Sequence, residues 1–209
     1  MGADPECGSA ALLKLSSFSF QALRESFFKK KPPLKAPPPA KPYSKPYWKV
    51  RHDLVYYQVV RSWMEALSPG GLLVDVGAWD TPVITWGDFA ERLIVDLSPV
   101  PVSFPGVQKI QGNWLTVELP KPADLVVCLQ VLEHLKDGVV EPFCQKLLRS
   151  GRRTLVSVPY RWKAGREVTH VQDPVDEAKL AGWMQREPSR QQIVTEPRGG
   201  VQRLVALYE

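Results

Sequence analysis

Short apolar runs that alternate with amphipathic segments are the feature that most limits how this chain can fold. Residues 72–76 and 125–129 are almost continuously apolar and rich in β-branched residues, which is typical of strands buried on both faces of a parallel sheet. The segments between such runs place apolar residues at a helical spacing, which predicts helices that cover the sheet. The pattern predicts an α/β fold with a doubly wound, mostly parallel, Rossmann-like sheet.

The predicted elements follow one another in chain order. Helices are predicted over residues 51–67, 83–92, 131–150 and 175–184. Strands are predicted over residues 72–76, 93–96, 107–110, 124–129, 154–158, 192–196 and 203–208. Because no helix separates the last two strands, we predict that they form a C-terminal antiparallel hairpin at an edge of the sheet.

The first 46 residues differ in composition from the rest of the chain. Residues 1–50 hold nine Lys or Arg against three carboxylates, so that they carry more than the whole net charge of +5. Residues 9–28 place apolar side chains at roughly helical spacing, and residues 31–46 contain seven prolines, which fix φ and remove backbone donors. We predict a basic N-terminal extension, 1–46, with a short amphipathic helix and a proline-rich linker, and a folded domain, 47–209.

The composition of the basic extension does not identify its partner. Its charge suits an acidic protein surface, phosphates or anionic lipid, and a solvated tail has the same composition. The amphipathic segment favours a protein partner over a membrane, because its polar face is not consistently basic. No apolar stretch reaches the ~18–20 residues that cross a bilayer, and no signal peptide is predicted. The three cysteines, Cys7, Cys128 and Cys144, are an odd number without metal-ligand or redox spacing, and Cys128 and Cys144 lie in apolar patterns that predict core positions. A reduced, cytoplasmic protein is therefore predicted.

Two predicted strands end at acidic residues that lie about 20 positions apart. The first strand runs through Asp75 into Gly77, and the second ends at Asp96. Ligands of open α/β sheets bind beyond the carboxyl ends of strands, where a glycine lets the backbone approach closely. A carboxylate after the second strand can accept both hydroxyls of a ribose, so the pair indicates a nucleoside-shaped ligand. Two aspartates that only cap turns would give the same pattern.

Three segments resemble, in order, the successive motifs of class I S-adenosylmethionine-dependent methyltransferases. They are residues 74–81, residues 93–98 and residues 123–135, the last of which contains Val-Leu-Glu-His. This last segment looks like the fourth motif of small-molecule and glycan-type members. The resemblance covers residues 50–160, and it implies S-adenosylmethionine as the cofactor and methyl transfer as the activity.

The resemblance also implies which residues contact the cofactor. The methionine part would contact Asp75, Gly77, Ala78 and Trp79, and the ribose would contact Asp96. The adenine would contact Leu97, Asn113 and Trp114, and the sulfonium beside the acceptor would contact Leu129 and Gln130. The first loop departs from the family pattern, because it has one glycine where the family has two or three. Trp79 either covers the methionine end of the site or fills space in the loop. The loop is not a GxGxxG motif, so a nicotinamide or flavin cofactor is disfavoured.

Removal of a proton from the acceptor requires a base, and histidine is the side chain that titrates near neutral pH. His170, in an irregular stretch after the fifth strand, is the preferred base, and a loop histidine bonded to Asp173 or Asp176 is the alternative. His134 is a second candidate, for which a structural role at the helix start is favoured. Glu133 can bind an amine. We predict no metal site, because Glu133 has no second carboxylate at suitable spacing.

The acceptor is predicted only as a class. Four neighbouring side chains are candidates for binding it: Arg161, Trp162, Lys163 and Arg166. They either bind a saccharide or acidic acceptor, or they belong to a solvated loop. The leading prediction is methyl transfer to oxygen or nitrogen of a small molecule or saccharide. The alternative is a binding or scaffold protein with this fold and weak or no catalysis. A nucleic-acid methyltransferase is disfavoured, because the domain lacks a basic stripe and an Asn-Pro-Pro-Tyr-type motif.

Overall fold

Residues 46–209, which a computed structural model describes, form a seven-stranded sheet covered by helices and belong to one compact unit. The strands are β1 (Gly70–Val76), β2 (Phe89–Asp96), β3 (Val107–Gln111), β4 (Leu125–Leu129), β5 (Thr154–Pro159), β6 (Arg190–Thr195) and β7 (Gln202–Tyr208). Their spatial order is β3-β2-β1-β4-β5-β7-β6. Strands β1 to β5 pair in parallel, and β7 is antiparallel to β5 and β6. The predicted Rossmann-like sheet with its C-terminal hairpin is confirmed.

Helices lie on both faces of this sheet. They are α1 (Val55–Ala66), α2 (Val140–Ser150) and α3 (Glu177–Met184). Helix α1 buries Tyr56 in the same apolar layer as Leu73 of β1. Helices α2 and α3 bury Phe143 and Trp183 in the layer that contains Val74 of β1. Because successive side chains of a strand point to opposite faces, neighbouring residues of β1 enter the two layers and fix the strand between them.

The predicted helix over residues 83–92 is wrong. One 3₁₀ turn, Val83–Thr85, forms there, and β2 already begins at Phe89. Gly87 has a φ of +70°, a left-handed conformation that interrupts an α-helix, and a Cβ at this position would lie 2.8 Å from the Phe89 ring. Arg92 donates hydrogen bonds to the carbonyls of Ile84 (2.6 Å) and Gly87 (2.8 Å), so a side chain from the strand satisfies the turn.

The predicted helix over residues 131–150 is interrupted. A 3₁₀ turn, Leu132–His134, follows β4, and α2 begins only at Val140. Gly138, at a φ of +74°, separates the two pieces. As a result, the residues after β4 form a loop at the end of the sheet, where their side chains can line a ligand site.

The N-terminus of α1 is capped by a residue from the distant C-terminal hairpin. Glu196 accepts hydrogen bonds from the backbone N–H groups of Val55 (2.8 Å) and Tyr56 (3.2 Å). Its carboxylate also pairs with the Arg203 guanidinium at 3.2 Å, and both side chains are buried. Helix N-termini carry unsatisfied donors, and a carboxylate satisfies them while it favours the positive end of the helix dipole. This contact joins α1 to the edge strands.

Several sequence predictions concern residues that the structure does not describe. The amphipathic segment 9–28, Cys7 and the proline-rich stretch up to residue 45 lie outside residues 46–209. Within the described range, Cys128 and Cys144 are free and buried, as predicted for core residues. No helix between residues 46 and 209 is both long and apolar enough to cross a membrane.

Candidate functional site

A cavity of about 270 Å³ lies at the carboxyl ends of β1, β2 and β4. In the sheet order β2 lies beside β1 on the side away from β4, and β5 lies beside β4 on the side away from β1, so the connections that follow β1 and β4 run in opposite directions. Such a topological switch point is where open α/β sheets bind ligands. Seven of the ten residues predicted to contact the cofactor line this cavity, together with both predicted histidines and Glu133; the seven are Asp75, Gly77, Ala78, Trp79, Asp96, Leu129 and Gln130.

Asp75 is a buried carboxylate that faces the cavity without a full set of partners. Its side chain is 2% exposed, and its Oδ2 has no hydrogen-bond partner among the described residues. Burial, and after it the negative charge of Asp96, raise the pKa of Asp75 to about 8. A buried carboxylate without a partner costs free energy, which a cationic ligand group would offset.

Asp96 is held in place by backbone donors at the end of β2. Its Oδ2 accepts a hydrogen bond from the Trp79 N–H at 3.0 Å, and its Oδ1 accepts one from the Ser98 N–H at 2.9 Å. A carboxylate has about four lone-pair sites, so each oxygen retains one for a ligand. The two backbone contacts therefore fix the carboxylate while leaving it able to accept two hydroxyl groups.

The loop after β1 is tight, and it needs its glycine. Gly77 has a φ of +79°, and a Cβ at this position would lie 2.5 Å from Cγ2 of Val131. Its N–H donates to the carbonyl of Val95 at 2.9 Å. Trp79 also adopts a left-handed conformation, with a φ of +49°, and is half-buried at the cavity wall. Left-handed non-glycine residues cost on the order of 1–3 kcal/mol and cluster at functional sites.

A second left-handed residue, Gln130, ends β4 at a φ of +55°. Its Nε2 donates to the Ser157 hydroxyl at 3.1 Å, and its Oε1 accepts from Nε of Arg203 at 3.3 Å. These contacts hold the side chain against the neighbouring strands. Leu129, just before it, is partly buried and packs against the layer that contains α1.

Glu133, His134 and His170 form a cluster on another wall of the cavity. One ligand atom of each residue lies within 4.8 Å of the others. The His170 Nδ1 lies 2.8 Å from the Asp173 Oδ2, and the His134 Nδ1 lies 3.1 Å from the carbonyl oxygen of Thr169. Burial raises the pKa of Glu133 to about 8 and lowers the pKa of His134. This "His-Glu cluster" joins the loop after β4 to the irregular stretch after β5.

The irregular stretch after β5 contributes an aromatic wall. Trp162 stacks on the His170 ring at 5.5 Å, and its Nε1 donates to the carbonyl of Gln202 at 3.0 Å. Of the four residues considered for acceptor binding, Trp162 lines the cavity, whereas Arg161, Lys163 and Arg166 are exposed outside its lining.

Sequence reasoning missed Arg203, which lines the cavity from β7. Its side chain is 8% exposed, and its guanidinium lies 4.6 Å from the Tyr56 ring. Because β7 runs antiparallel to β5, its first residues lie beside the carboxyl end of β5, where Arg203 pairs with Pro159. An arginine at the start of an apolar strand was the available signal, but the antiparallel pairing was needed to place it at the site.

The segment before α1 also reaches the cavity. Tyr47 and Arg51 line it, and the Arg51 guanidinium lies 4.1 Å from the Tyr47 ring. The Trp48 N–H donates to the Asp80 Oδ1 at 2.9 Å, which ties this segment to the loop after β1. The start of the predicted domain is therefore part of the site, which the sequence did not indicate.

Three residues predicted to contact adenine lie outside the lining of this cavity. Leu97 is 50% exposed next to Asp96. The Asn113 Oδ1 accepts a hydrogen bond from the Leu115 N–H at 3.0 Å and caps a turn. Trp114 is 3% exposed and packs 6.3 Å from the Phe143 ring. The adenine contacts of these residues stay a prediction.

Neither a protein-family model nor a curated protein matches this chain. Solved structures do match it. The N-methyltransferase NodS of Bradyrhizobium japonicum, in complex with S-adenosyl-L-homocysteine, has a TM-score of 0.63 at 11% identity, covering 80% of this chain and 92% of NodS. The 1,6-didemethyltoxoflavin-N1-methyltransferase of Burkholderia thailandensis has a TM-score of 0.60 at 17% identity, covering 81% and 92%. Magnesium protoporphyrin IX methyltransferase ChlM of Synechocystis, with bound S-adenosylmethionine, has a TM-score of 0.55 at 18% identity, covering 92% of each chain.

These structures are methyltransferases that share the fold described above at low sequence identity. Their similarity extends over at least four-fifths of this chain in each case. The chain has the fold of class I S-adenosylmethionine-dependent methyltransferases.

Proposed function

We propose that this protein is an S-adenosylmethionine-dependent methyltransferase that acts on an oxygen or nitrogen of a small molecule or saccharide. The observation that carries the proposal is the pair of carboxylates, Asp75 and Asp96, at the ends of adjacent parallel strands in this fold. The unpartnered Asp75 oxygen matches the ammonium group of the methionine part, and the fixed Asp96 carboxylate matches the two ribose hydroxyls. The residues present therefore fit the cofactor.

The remaining cofactor contacts follow the same arrangement. The backbone of Gly77, Ala78 and Trp79 borders the methionine part, and Leu129 and Gln130 border the sulfonium and the acceptor. When it is bound, the cofactor supplies a methyl group on a sulfonium, which is a good leaving group. The protein has to align the acceptor and accept its proton.

His170 is the side chain that we propose as the proton acceptor. A neutral histidine that donates from Nδ1 to Asp173 keeps a lone pair on Nε2, and the carboxylate stabilises the imidazolium that forms. Trp162 stacks on the same ring and presents an aromatic wall to the acceptor. Aromatic walls suit sugar rings and flat heterocycles, which supports a saccharide or small-molecule acceptor.

The division of the chain is part of the proposal. Residues 47–209 form the methyltransferase domain, because Tyr47 and Trp48 already contact the site and its loops. Residues 1–46 form an extension that binds an acidic protein surface or another anionic partner.

The proposal is tested by methyl transfer from tritium-labelled S-adenosylmethionine to a panel of hydroxyl and amine acceptors that includes saccharides. We expect at least one acceptor to become labelled by the wild-type protein and not by Asp96→Ala at the same cofactor concentration. Cofactor binding without labelling of any acceptor would favour the alternative, a binding protein with weak or no catalysis.

A further inference from the structure

We propose that the His-Glu cluster, Glu133, His134 and His170, binds a divalent transition metal ion, with Zn²⁺ as the preferred ion. The inference deepens the proposed function, because all three residues line the same cavity. The lack of a second carboxylate near Glu133 does not exclude a metal site, because two histidines and one carboxylate form a known type of zinc ligand set.

The first support is proximity. One ligand atom from each residue lies within 4.8 Å of the others, although the residues come from two segments 36 positions apart. Ligand atoms around a tetrahedral zinc lie ~3.4 Å apart at bond lengths of ~2.0–2.1 Å. Side-chain movements of roughly 1 Å would therefore bring the three ligand atoms to the separation that zinc requires.

The second support is the outer hydrogen bonding of both histidines. The His170 Nδ1 contacts a carboxylate oxygen of Asp173, and the His134 Nδ1 contacts the carbonyl oxygen of Thr169. Each acceptor holds a proton on Nδ1 and leaves the Nε2 lone pair for a metal. Metal-bound histidines almost always donate their second ring N–H to a carboxylate or a carbonyl in this way.

The third support is the buried carboxylate. Glu133 is 1% exposed, it lines the cavity, and its Oε2 has no hydrogen-bond partner among the described residues. A buried carboxylate oxygen without a partner is unfavourable, and a metal ion supplies the missing positive charge. Its backbone carbonyl accepts from the N–H groups of Val171 and Gln172, which holds the two ligand-bearing segments together.

Three protein ligands leave a coordination position open for an acceptor group. In the metal-bound protein the Nε2 lone pair of His170 is occupied, so the metal replaces His170 as the group that promotes loss of the acceptor's proton. An acceptor hydroxyl bound there would lose its proton to solvent near neutral pH, because the metal lowers its pKa. The resulting oxygen forms the new bond to the methyl carbon, and the electron pair of the breaking carbon–sulfur bond goes to sulfur. The ligand set of two imidazoles and one carboxylate favours zinc over magnesium, which prefers oxygen ligands alone.

The test is calorimetric titration of untagged, chelator-treated full-length protein with Zn²⁺. We expect one ion per chain with a Kd in the micromolar range or below, at least tenfold weaker binding in Glu133→Gln, and loss of binding in His170→Ala. Matched controls are the exposed His52→Ala and Glu141→Gln, which should bind like the wild type. Co²⁺ should give the visible absorption of a four-coordinate site in the wild type and not in His170→Ala.

If the wild type bound no zinc at Zn²⁺ concentrations up to about 100 μM, the inference would be overturned. Unchanged binding in both Glu133→Gln and His170→Ala, with unfolding curves that show folded proteins, would overturn it as well. Titration of the same samples with S-adenosylhomocysteine keeps the two proposals apart. A protein that binds S-adenosylhomocysteine but no zinc retains the proposed function and loses the metal site.

Discussion

The two walls of the cavity are built in different ways. The wall proposed for the cofactor comes from strand ends and one tight loop, and its main carboxylates, Asp75 and Asp96, lie on neighbouring strands. The wall proposed for the acceptor is assembled from the loop after β4, the stretch after β5 and the antiparallel strand β7, which contribute Glu133, His170 and Arg203. The first wall follows from the ends of paired parallel strands, whereas the second depends on long connections and on an antiparallel strand.

The difference shows which part of a site follows from its fold. Backbone hydrogen bonds between paired strands fix the position of a side chain at a strand end. Any chain with this topology therefore offers similar positions for a cofactor. Side chains on long connections depend on contacts such as that of His170 with Asp173 and of Trp162 with Gln202. Substitutions on the two walls should therefore affect different measured quantities.

The largest expected effect comes from the acceptor wall. His170→Ala should lower turnover by about 10²–10⁴-fold, the usual contribution of a general base or its equivalent, while affinity for S-adenosylhomocysteine changes by less than about threefold. Initial rates and calorimetry on the same preparation measure both quantities. His52→Ala is the matched control, because His52 is exposed and outside the cavity lining. A parallel loss of cofactor affinity would mean that the walls are not separable.

The next effect concerns the tight loop of the cofactor wall. Gly77→Ala should weaken binding of S-adenosylhomocysteine at least ~10-fold and destabilise the domain by about 2 kcal/mol, because of its left-handed φ and the clash with Val131. Gly106→Ala separates the two causes, since Gly106 has a φ of +72° but a Cβ there meets nothing within 4 Å. Gly106→Ala should destabilise the domain by about 1 kcal/mol without a change in affinity for S-adenosylhomocysteine. Equal effects at both positions would contradict the steric role of Gly77.

A smaller effect is expected from the charge of Asp75. Its pKa in the folded protein, about 8, lies above the ordinary value of 3.8. Between pH 4 and 8 the folded state therefore holds a proton that the unfolded state has already released. The free energy of unfolding of the wild type should therefore fall as the pH rises through this range.

Asp75→Asn removes that dependence. Urea unfolding at pH 5 and pH 8 should show that the variant gains stability relative to the wild type at the higher pH, while its affinity for S-adenosylhomocysteine weakens. The exposed Asp53→Asn should follow the wild type at both pH values. An identical pH dependence of wild type and Asp75→Asn would show that the Asp75 carboxyl is ionised in the folded protein.

The smallest effect is expected from the N-terminal extension. Deletion of residues 1–46 should change the free energy of unfolding by less than about 0.5 kcal/mol and leave turnover on a small acceptor unaltered, because it keeps Tyr47 and Trp48, which contact the site and its loops. Thermal unfolding and initial rates of the shortened protein test this. A melting temperature lower by more than about 5 °C would mean that the segment 9–28 packs on the domain.

Most of the sheet could be predicted from the sequence, because buried parallel strands such as β1 and β4 are short apolar runs with turn residues at their ends. The start of β2 could not, since residues 89–92 have no alternating or continuous apolar pattern, and their strand conformation depends on pairing with β1. Tertiary contacts such as those of Arg92 with the preceding turn decide this segment.

The candidate site divides in the same way. Asp75, Gly77 and Asp96 could be identified from the ends of strands, because their places follow from the sheet alone. Arg203 could not, since its position depends on the antiparallel direction of β7. The metal-ligand grouping of Glu133 with the two histidines was also missed, because it requires the contact between the loop after β4 and residues 169–173.

The central claim is that the carboxyl ends of β1 and β2 bind S-adenosylmethionine, and calorimetric titration with S-adenosylhomocysteine tests it most directly. We predict one site per chain with micromolar affinity in the wild type, weakened at least ~10-fold in Asp96→Ala and unchanged in the exposed control Asp53→Ala. Absence of binding by the folded wild-type protein up to millimolar ligand, or equal affinity of Asp96→Ala and the wild type, would contradict the account.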